Sequence, residues 1–369
     1  MGYRIAIACG GTGGHLFPGL AVADVLREQG NQILLLVSNK DIDRSALNKH
    51  QGYEFRVLSA VGWPGFRPFL LVHFFWRYFQ AVRECKKWFK VWKPDAVLGM
   101  GGFTSAVPLR YAIKRKIPTL MHESNVIPGR VTVWLSKKVD KVLLGFEACR
   151  SHLASMISTG VTGTPLKVKP KLGDRIETLK KLGLSPEKKT ILVMGGSQGA
   201  KALNELVVQA MRYWEGLQSR WQFIHLTGKG ERELVELNYR REGFQAQVME
   251  FCGEMAEIYR VTDLAISRSG AASLSELTAW EIPSVLIPFP FAAGNHQFFN
   301  AQVFEKAGAA LMEEQDSLTP EILGQKIKIL LEDEEQRQRM HEACRKVAIE
   351  DGAERVADAV MRAIEEKPA

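Results

Sequence analysis

Cysteine is scarce in this 369-residue chain. The five cysteines (Cys9, Cys85, Cys149, Cys252, Cys344) stand far apart with no CxxC or CxH spacing. That pattern excludes a disulfide framework and a structural zinc site, and it fits a reducing compartment. Long apolar runs are missing as well. The longest strongly apolar stretch without charge is Phe69–Trp76, far short of the roughly 20 residues that cross a bilayer. No leader is expected, because Met-Gly-Tyr-Arg runs straight into a strand pattern. No RRM, helix-turn-helix or zinc-finger signature is present, so nucleic acid is not an expected partner. Two familiar nucleotide loops are also absent. The glycine run at Cys9–His15 is neither G-x-G-x-x-G followed by a ribose-binding acid nor G-x-x-x-x-G-K-[ST], which weakens the nicotinamide and P-loop readings.

What is present describes a globular protein of two or three domains. Hydrophobic residues make up 46% and charged residues 24% of the chain, enough for a large core. The net charge of +8 is unevenly spread. Residues 1–166 hold 22 Lys/Arg against 10 Asp/Glu, and the remainder holds 27 against 31. The basic half calls for an anionic partner: lipid, nucleic acid or a phosphorylated substrate.

Arg4–Ala8 reads as a buried parallel-type strand. It runs into Gly10-Gly11-Thr12-Gly13-Gly14-His15 and then a helix over Leu20–Glu28. Strand, glycine turn and helix together make an anion site, because free N–H groups and the helix dipole face the ligand. His15 at such a helix start is expected to be neutral, which suits a general base. Equally, it could be a helix-entry histidine that bonds backbone. Asp41-Ile42-Asp43 could hold a metal against a diphosphate, but so short a pattern is common by chance, and no metal is assigned. A second glycine loop, Gly99-Met100-Gly101-Gly102-Phe103, follows the strand at Asp95–Met100. Two such loops on one sheet edge suit two phosphates or a pyrophosphate. The strand Thr119–Glu123 ends in His122-Glu123-Ser124-Asn125, either site residues or a capped turn.

Trp63–Trp92 is unusually aromatic, with four of the eight tryptophans and six of the 18 phenylalanines. Positions 71, 75, 78, 82, 85, 89 and 92 form an apolar helical stripe, expected as core. Phe69, Leu70, Phe74, Trp76 and Phe79 fall off that stripe, among Arg67, Arg77, Arg83, Lys86, Lys87, Lys90 and Lys93. Apolar groups beside a basic rim describe a helix that dips into an anionic membrane surface. A partner-protein interface is the competing reading.

Val161–Lys167 reads as an interdomain linker. The initial pattern then restarts: strand Thr190–Met194, Gly195-Gly196-Ser197-Gln198-Gly199, helix Leu203–Tyr213. Downstream, Leu264–Ile266 reads as a strand ending at Ser269-Gly270, followed by a helix over Ala271–Trp280 that carries Glu276. A carboxylate inside a phosphate-binding helix start suits a ribose diol, since it can accept two hydroxyls. The bland reading is an ordinary β-α-β unit. The expected fold is α/β, with two doubly wound Rossmann-like domains over residues 1–162 and 163–349 and a last helix (350–369) returning to the first.

Six stretches in order, GGTGGHLFPGLAVA (Gly10–Ala23), GMGGF (Gly99–Phe103), HESN (His122–Asn125), GGSQGAKALN (Gly195–Asn204), SRSGAASLSE (Ser267–Glu276) and HQFFNA (His296–Ala301), resemble the MurG family of peptidoglycan N-acetylglucosaminyltransferases over the whole chain. The resemblance implies a GT-B fold, two domains facing across a cleft. It implies inverting transfer of GlcNAc from UDP-GlcNAc to the C4 hydroxyl of undecaprenyl-pyrophosphoryl-MurNAc-pentapeptide (lipid I), giving lipid II, with no cofactor. His15 becomes the leading base and Glu123 the second candidate. Donor contacts fall on Thr12, Gly13, Gly14, Asn125, Lys167, Ser197, Gln198, Cys252, Ala271, Ala272, Ser273, Leu274, Ser275, Glu276, His296 and Gln297. Among these, Glu276 takes the ribose and the Cys252 backbone reads uracil. Gly10, Gly11, Gly101, Gly102 and Phe103 face the acceptor pyrophosphate. The implied location is peripheral, on the cytoplasmic face of the inner membrane, with cell-wall synthesis and division proteins as further partners. Two stretches depart from the family. Phe103-Thr104-Ser105-Ala106-Val107-Pro108 stands where Tyr-x-Ser-Gly-Pro is frequent. Gly163-Thr164-Pro165-Leu166-Lys167 stands where Gly-Asn-Pro-Val-Arg is common, and a lysine lacks arginine's bidentate fork. A UDP-sugar epimerase of the same architecture and a basic lipid- or nucleic-acid-binding scaffold are the alternatives.

Overall fold

The structure is a computed structural model. It describes residues 2–366 apart from 41–51, 63, 64, 66, 67, 169, 171, 172 and 197–199. The Asp41–Asp43 pair, Trp63, Phe66, Arg67, Ser197 and Gln198 therefore lie outside the described residues. The chain forms two compact units, Met1–Lys167 with Ile349–Ala369, and Val168–Ala348.

In the first unit, short apolar runs form an all-parallel sheet of β1 (Arg4–Ala8), β2 (Gln32–Val37), β3 (Glu54–Val57), β4 (Ala96–Gly99), β5 (Thr119–Glu123), β6 (Lys141–Leu144) and β7 (Thr159–Val161), in the order β3-β2-β1-β4-β5-β6-β7. Helices cover both faces, so residues of either parity are buried in the inner strands β1, β2, β4, β5 and β6, while the edge strand β3 is exposed. Ile5, Ile7, Leu35 and Val37 pack with Leu16 and Leu20 of α1 (Gly13–Glu28) and with Val356 and Val360 of the last helix (Gly352–Glu365). Ala6, Ala8, Leu34 and Leu36 face Ala81, Cys85 and Phe89 of α2 (Pro68–Trp92), together with Val107 and Ala112 of α3 (Gly102–Lys114).

Residues 163–167, expected at the head of the second domain, belong to the first unit. Thr162, Thr164 and Leu166 are buried there, and Gly163 (φ +74°) lies against Ile349, where a β-carbon would come within 2.6 Å.

The α2 stripe holds only in part. Cys85 and Phe89 are core, but Phe75, expected inside, is 49% exposed. Of the off-stripe residues, Phe69, Leu70, Trp76 and Phe79 are exposed. Phe74 is half-buried against the Tyr78 ring, 6.4 Å between centroids. Arg77 is half-buried beside the Trp76 ring. Val72, which no pattern singled out, is exposed too. The sheet side covers the helix from Tyr78 onward and leaves its first turns bare. Among the described residues no helix is long and apolar enough to cross a membrane.

The second unit repeats the design. β8 (Lys189–Met194), β9 (Trp221–Leu226), β10 (Ala246–Met249), β11 (Leu264–Ser267), β12 (Ser284–Leu286) and β13 (Ala310–Met312) run parallel in the order β10-β9-β8-β11-β12-β13. Ile191, Val193, Phe223 and Ile266 pack on one face with Leu203, Val207, Leu323 and Ile327. Leu192, Met194, Ile224 and Ala265 pack on the other with Leu179, Ile258, Tyr259 and Leu277. In both sheets the strand order reverses beside the leading strand, at β1/β4 and at β8/β11. That is where doubly wound sheets place their ligands.

Candidate active site

Both glycine loops of the first unit lie at its reversal point, one after β1 and one after the adjacent β4. Helix α1 is N-capped by Thr12, whose hydroxyl is not turned back onto the helix N–H groups. It pairs instead with His15 Nδ1 at 2.9 Å. The His15 ring lies close against the second loop. A β-carbon at Gly101 (φ +88°) would sit 3.2 Å from His15 Nε2, and one at Gly102 (φ +67°) 3.0 Å from Nδ1 and Cε1. At Gly11 (φ +107°) it would meet the Phe103 ring at 3.0 Å. These glycines are therefore needed twice over, for the left-handed backbone and for the space. The Thr104 hydroxyl donates to the Gly10 carbonyl at 2.6 Å, and Ser105 Oγ donates to the Gly101 carbonyl at 2.6 Å. The two loops are thus tied into one surface bearing two helix starts, since the Gly101 cap of α3 also lacks a side-chain cap. The ammonium of Lys40 crosses to this surface, donating to the Gly11 carbonyl at 2.8 Å and standing 5.6 Å from the Phe103 ring.

The HESN stretch closes β5. Buried His122 donates from Nε2 to the Gly163 carbonyl at 2.9 Å and accepts at Nδ1 from Ser124 Oγ at 3.3 Å. Burial holds its pKa down, opposed by that backbone bond, so the ring stays neutral. Glu123 is 4% exposed and accepts four bonds: from Asn125 N and Nδ2 (3.0 and 3.1 Å), Gly129 N (2.9 Å) and Thr132 Oγ1 (2.6 Å). Its carboxylate organises the turn that presents Asn125. Lys167 is bound to Asp24 of α1, which also accepts from Tyr53. Burial alone would raise the Asp24 pKa, but Lys167 and Tyr53 bring it below the usual value.

In the second unit, β11 ends at Ser267 and Gly270 N-caps α9 (Ala271–Ala279) with ordinary dihedrals (φ −67°, ψ 135°) and no side-chain cap. The first-turn N–H groups of Ala271, Ala272 and Ser273 therefore have no acceptor within the helix. By contrast α5 (Arg175–Lys181), capped by Asp174, has its first turn filled by a side chain. Leu274 turns into the core at 1% exposed, while Ala272, Ser273, Ser275 and Glu276 are half-buried on the open side. Burial pushes the Glu276 carboxyl up to about 7, opposed by the Tyr259 hydroxyl that donates to Oε2 at 2.8 Å. Gln297, on α10 (His296–Lys306), braces the turn. Its Oε1 accepts from Ser269 N (3.2 Å) and Phe289 N (3.0 Å), and its carbonyl accepts from Ser269 Oγ (2.8 Å). His296 is half-buried and donates from Nδ1 to the Ala293 carbonyl at 2.9 Å. Cys252 is half-buried in the loop after β10. Arg268, 5% exposed, spans the ends of β11 and β12 by donating to the Ile287 and Pro288 carbonyls at 2.9 and 3.2 Å. Among the described residues no cluster of His, Cys, Asp and Glu is arranged to hold a metal ion.

Within the first unit, then, His15, Thr12, Gly10, Gly11, Gly101, Gly102 and Phe103 come together. Within the second, Glu276, the Gly270 helix start and Gln297 do. Sequence reasoning missed Lys40 and Tyr259. Lys40 stands beside an acidic pair that drew the attention, and Tyr259 sits in a short helix whose pattern reads as plain core.

Residues 5–144 match the glycosyltransferase family 28 N-terminal domain, and residues 190–356 the glycosyltransferase family 28 C-terminal domain. The UDP-N-acetylglucosamine–N-acetylmuramyl-(pentapeptide) pyrophosphoryl-undecaprenol N-acetylglucosamine transferase of Halothermothrix orenii is 35% identical, covering 93% of this chain and 94% of its own. The protein of the same name from Synechocystis is 36% identical over 99% and 98%. The crystal structure of Acinetobacter baumannii MurG is 27% identical with a TM-score of 0.76, covering 98% of this chain and 99% of that one.

Proposed function

This chain belongs to glycosyltransferase family 28, among the N-acetylglucosaminyltransferases of peptidoglycan synthesis, and from that membership we propose how its two halves divide the reaction. It is a hexosyltransferase with the GT-B fold. It moves GlcNAc from UDP-GlcNAc to the C4 hydroxyl of undecaprenyl-pyrophosphoryl-MurNAc-pentapeptide, lipid I, with inversion, and the product is lipid II.

The second domain takes the donor. The observation that carries this reading is the carboxylate of Glu276 beside the uncapped helix start at Gly270. Together they supply a diol acceptor and a row of N–H donors for a nucleoside diphosphate. The helix dipole contributes only about 0.3–1 kcal/mol. Several fixed donors aimed at the departing UDP, at about 3 kcal/mol each, contribute more and need no metal. Gln297, with Oε1 occupied by two backbone N–H groups, offers its amide N–H to the sugar.

The first domain takes the acceptor. The starts of α1 and α3, with Lys40 beside them, hold its pyrophosphate. His15, steadied by Thr12, withdraws the proton of the attacking hydroxyl. When Nδ1–H donates to Thr12, Nε2 carries the basic lone pair. General-base assistance of this kind is worth about 10²–10⁴ in rate. Glu123, with its lone pairs already taken by four donors, serves as a positioning group rather than the base. Lys167, engaged by Asp24, is not assigned to the donor phosphates.

The exposed Phe69, Leu70, Trp76 and Phe79, with Arg83, Lys86, Lys87 and Lys90 along the same helix, rest on the anionic surface of the cytoplasmic membrane, where the lipid acceptor resides. Retained co-sedimentation of a Trp76→Glu/Phe79→Glu variant with anionic vesicles would refute that surface.

UDP release from UDP-GlcNAc, followed with and without a lipid I analogue in excess EDTA, tests the reaction. Release only with the acceptor is expected. UDP loss that ignores the acceptor would overturn the proposal in favour of an epimerase-like activity.

A further inference from the structure

The donor carboxylate is held from outside its own helix. Tyr259, on α8 (Met255–Val261), is 3% exposed, and its phenol reaches Glu276 Oε2 at 2.8 Å. The ring lies 5.9 Å from that of Trp280, at the end of the same helix as Glu276. The Trp280 indole N–H is in turn fixed on the Val168 carbonyl at 3.2 Å. Tyr259 and Cys252 belong to the same apolar cluster. The tyrosine thus stands between the loop expected to read the base and the carboxylate expected to read the ribose. A carboxylate offers about four lone-pair sites, so one bond from Tyr259 leaves enough for two ribose hydroxyls while fixing the plane of the group.

We propose that Tyr259 is a positioning residue for the nucleotide donor, presenting the ionised Glu276 carboxylate to the ribose diol. This rests on the donor reading of Glu276 given above. A neutral phenol donates best to an ionised carboxylate, so the contact both aims the group and favours the charged form that accepts two hydroxyls. Its hydroxyl opposes the upward push of burial on Glu276. Among the described residues, Glu254 and Glu257 act on Cys252 in the neighbouring loop. Cys252 acts on Tyr259 from its loop. His296, on the neighbouring α10, donates to the Ala293 carbonyl. Glu281, past the end of α9, is taken by Arg345 and His341 of the helix Glu334–Val347.

The test compares wild type with Tyr259→Phe, which keeps the ring and removes only the hydroxyl. The affinities for UDP-GlcNAc and for its 2′-deoxyribose analogue are measured by calorimetry between pH 6 and 8.5. For Tyr259→Phe, UDP-GlcNAc affinity at pH 7 is expected to fall about tenfold, as for losing a hydrogen bond to a charged group. The loss narrows toward pH 8.5, and the deoxy analogue loses much less. An equal loss for both ligands at every pH, or no loss at all, would overturn the proposal. If the hydroxyl deletion also loosens the fold, the decisive measurement is Tyr259→Phe placed on Glu276→Gln. Little further loss is expected there, and a full additive loss would overturn the proposal. Failure of the underlying donor reading looks different: wild type itself would then bind the two ligands equally.

Discussion

The two halves share a sheet order and a reversal point, yet they build their helix starts in opposite ways. Around His15 the starts are closed. Gly11, Gly101 and Gly102 all have positive φ, and an aromatic ring lies 3.0–3.2 Å from where each β-carbon would be. At Gly270 the start is open, with ordinary dihedrals and nothing near the position of a β-carbon. A closed start fixes one side chain against a backbone, which is what a base needs. Neither kind of start is filled by a side-chain cap, so both can meet a phosphate. The open one adds room beside its N–H groups, which is what a departing nucleotide needs. The first-unit loops are glycine-rich and Gly270 stands alone between Ser269 and Ala271, but only the three-dimensional surroundings show which start is closed.

The largest contrast is expected from alanine at the two starts. Gly102→Ala forces a left-handed alanine onto the His15 ring. It should cost about 1–3 kcal/mol of stability and remove most turnover, read by thermal melting and acceptor-dependent UDP release. Gly270→Ala should shift stability by no more than about 0.5 kcal/mol. Equal damage at both positions would break the comparison.

A smaller effect follows from the pKa of Glu276, about 7 in the unliganded protein. Donor binding that requires the carboxylate weakens as the pH falls through 7, by about tenfold per unit below it. Stability runs the other way. The raised pKa favours the folded state fully below the ordinary carboxylate range, and that contribution is lost as the pH rises through about 7. UDP-GlcNAc titrations from pH 6 to 8.5 check the first, and denaturant melts over pH 4–8 check the second. A donor affinity flat across pH 6–8.5 would contradict the ribose role.

Lys40→Met sharpens the acceptor side. It should raise the KM for a pyrophosphate-bearing acceptor about three- to tenfold, the worth of one charge-assisted bond at an exposed site, and leave donor KM unchanged. The smallest change is expected from Lys167→Ala. The pair with Asp24 is partly exposed, so its loss should cost about 0.2–1 kcal/mol of stability with donor affinity intact. A large loss of donor affinity would return Lys167 to the diphosphate.

The strands and their glycine starts were legible because each is a short apolar run broken by glycine, a local signal. The second-domain repeat and the carboxylate of Glu276 came with them. Other features depend on contacts distant in sequence. Tyr259 reaches Glu276 from another helix, and Lys40 reaches Gly11 from the end of another strand. The role of Gly163 depends on Ile349 at the far end of the chain, which is why 163–167 side with the first unit. Periodicity in α2 identifies a face but not how far along the helix the core extends. Phe75 therefore falls on the stripe and yet outside the core.

The central claim is that the closed start serves the proton and the open start serves the nucleotide. Steady-state kinetics of His15→Ala and Glu276→Gln, with donor and acceptor varied separately, test it most directly. His15→Ala should lower kcat by about 10²–10⁴ with donor KM within about twofold of wild type. Glu276→Gln should raise donor KM about tenfold or more with a much smaller change in kcat. Wild-type turnover in His15→Ala, or an unchanged donor KM in Glu276→Gln, would contradict the account.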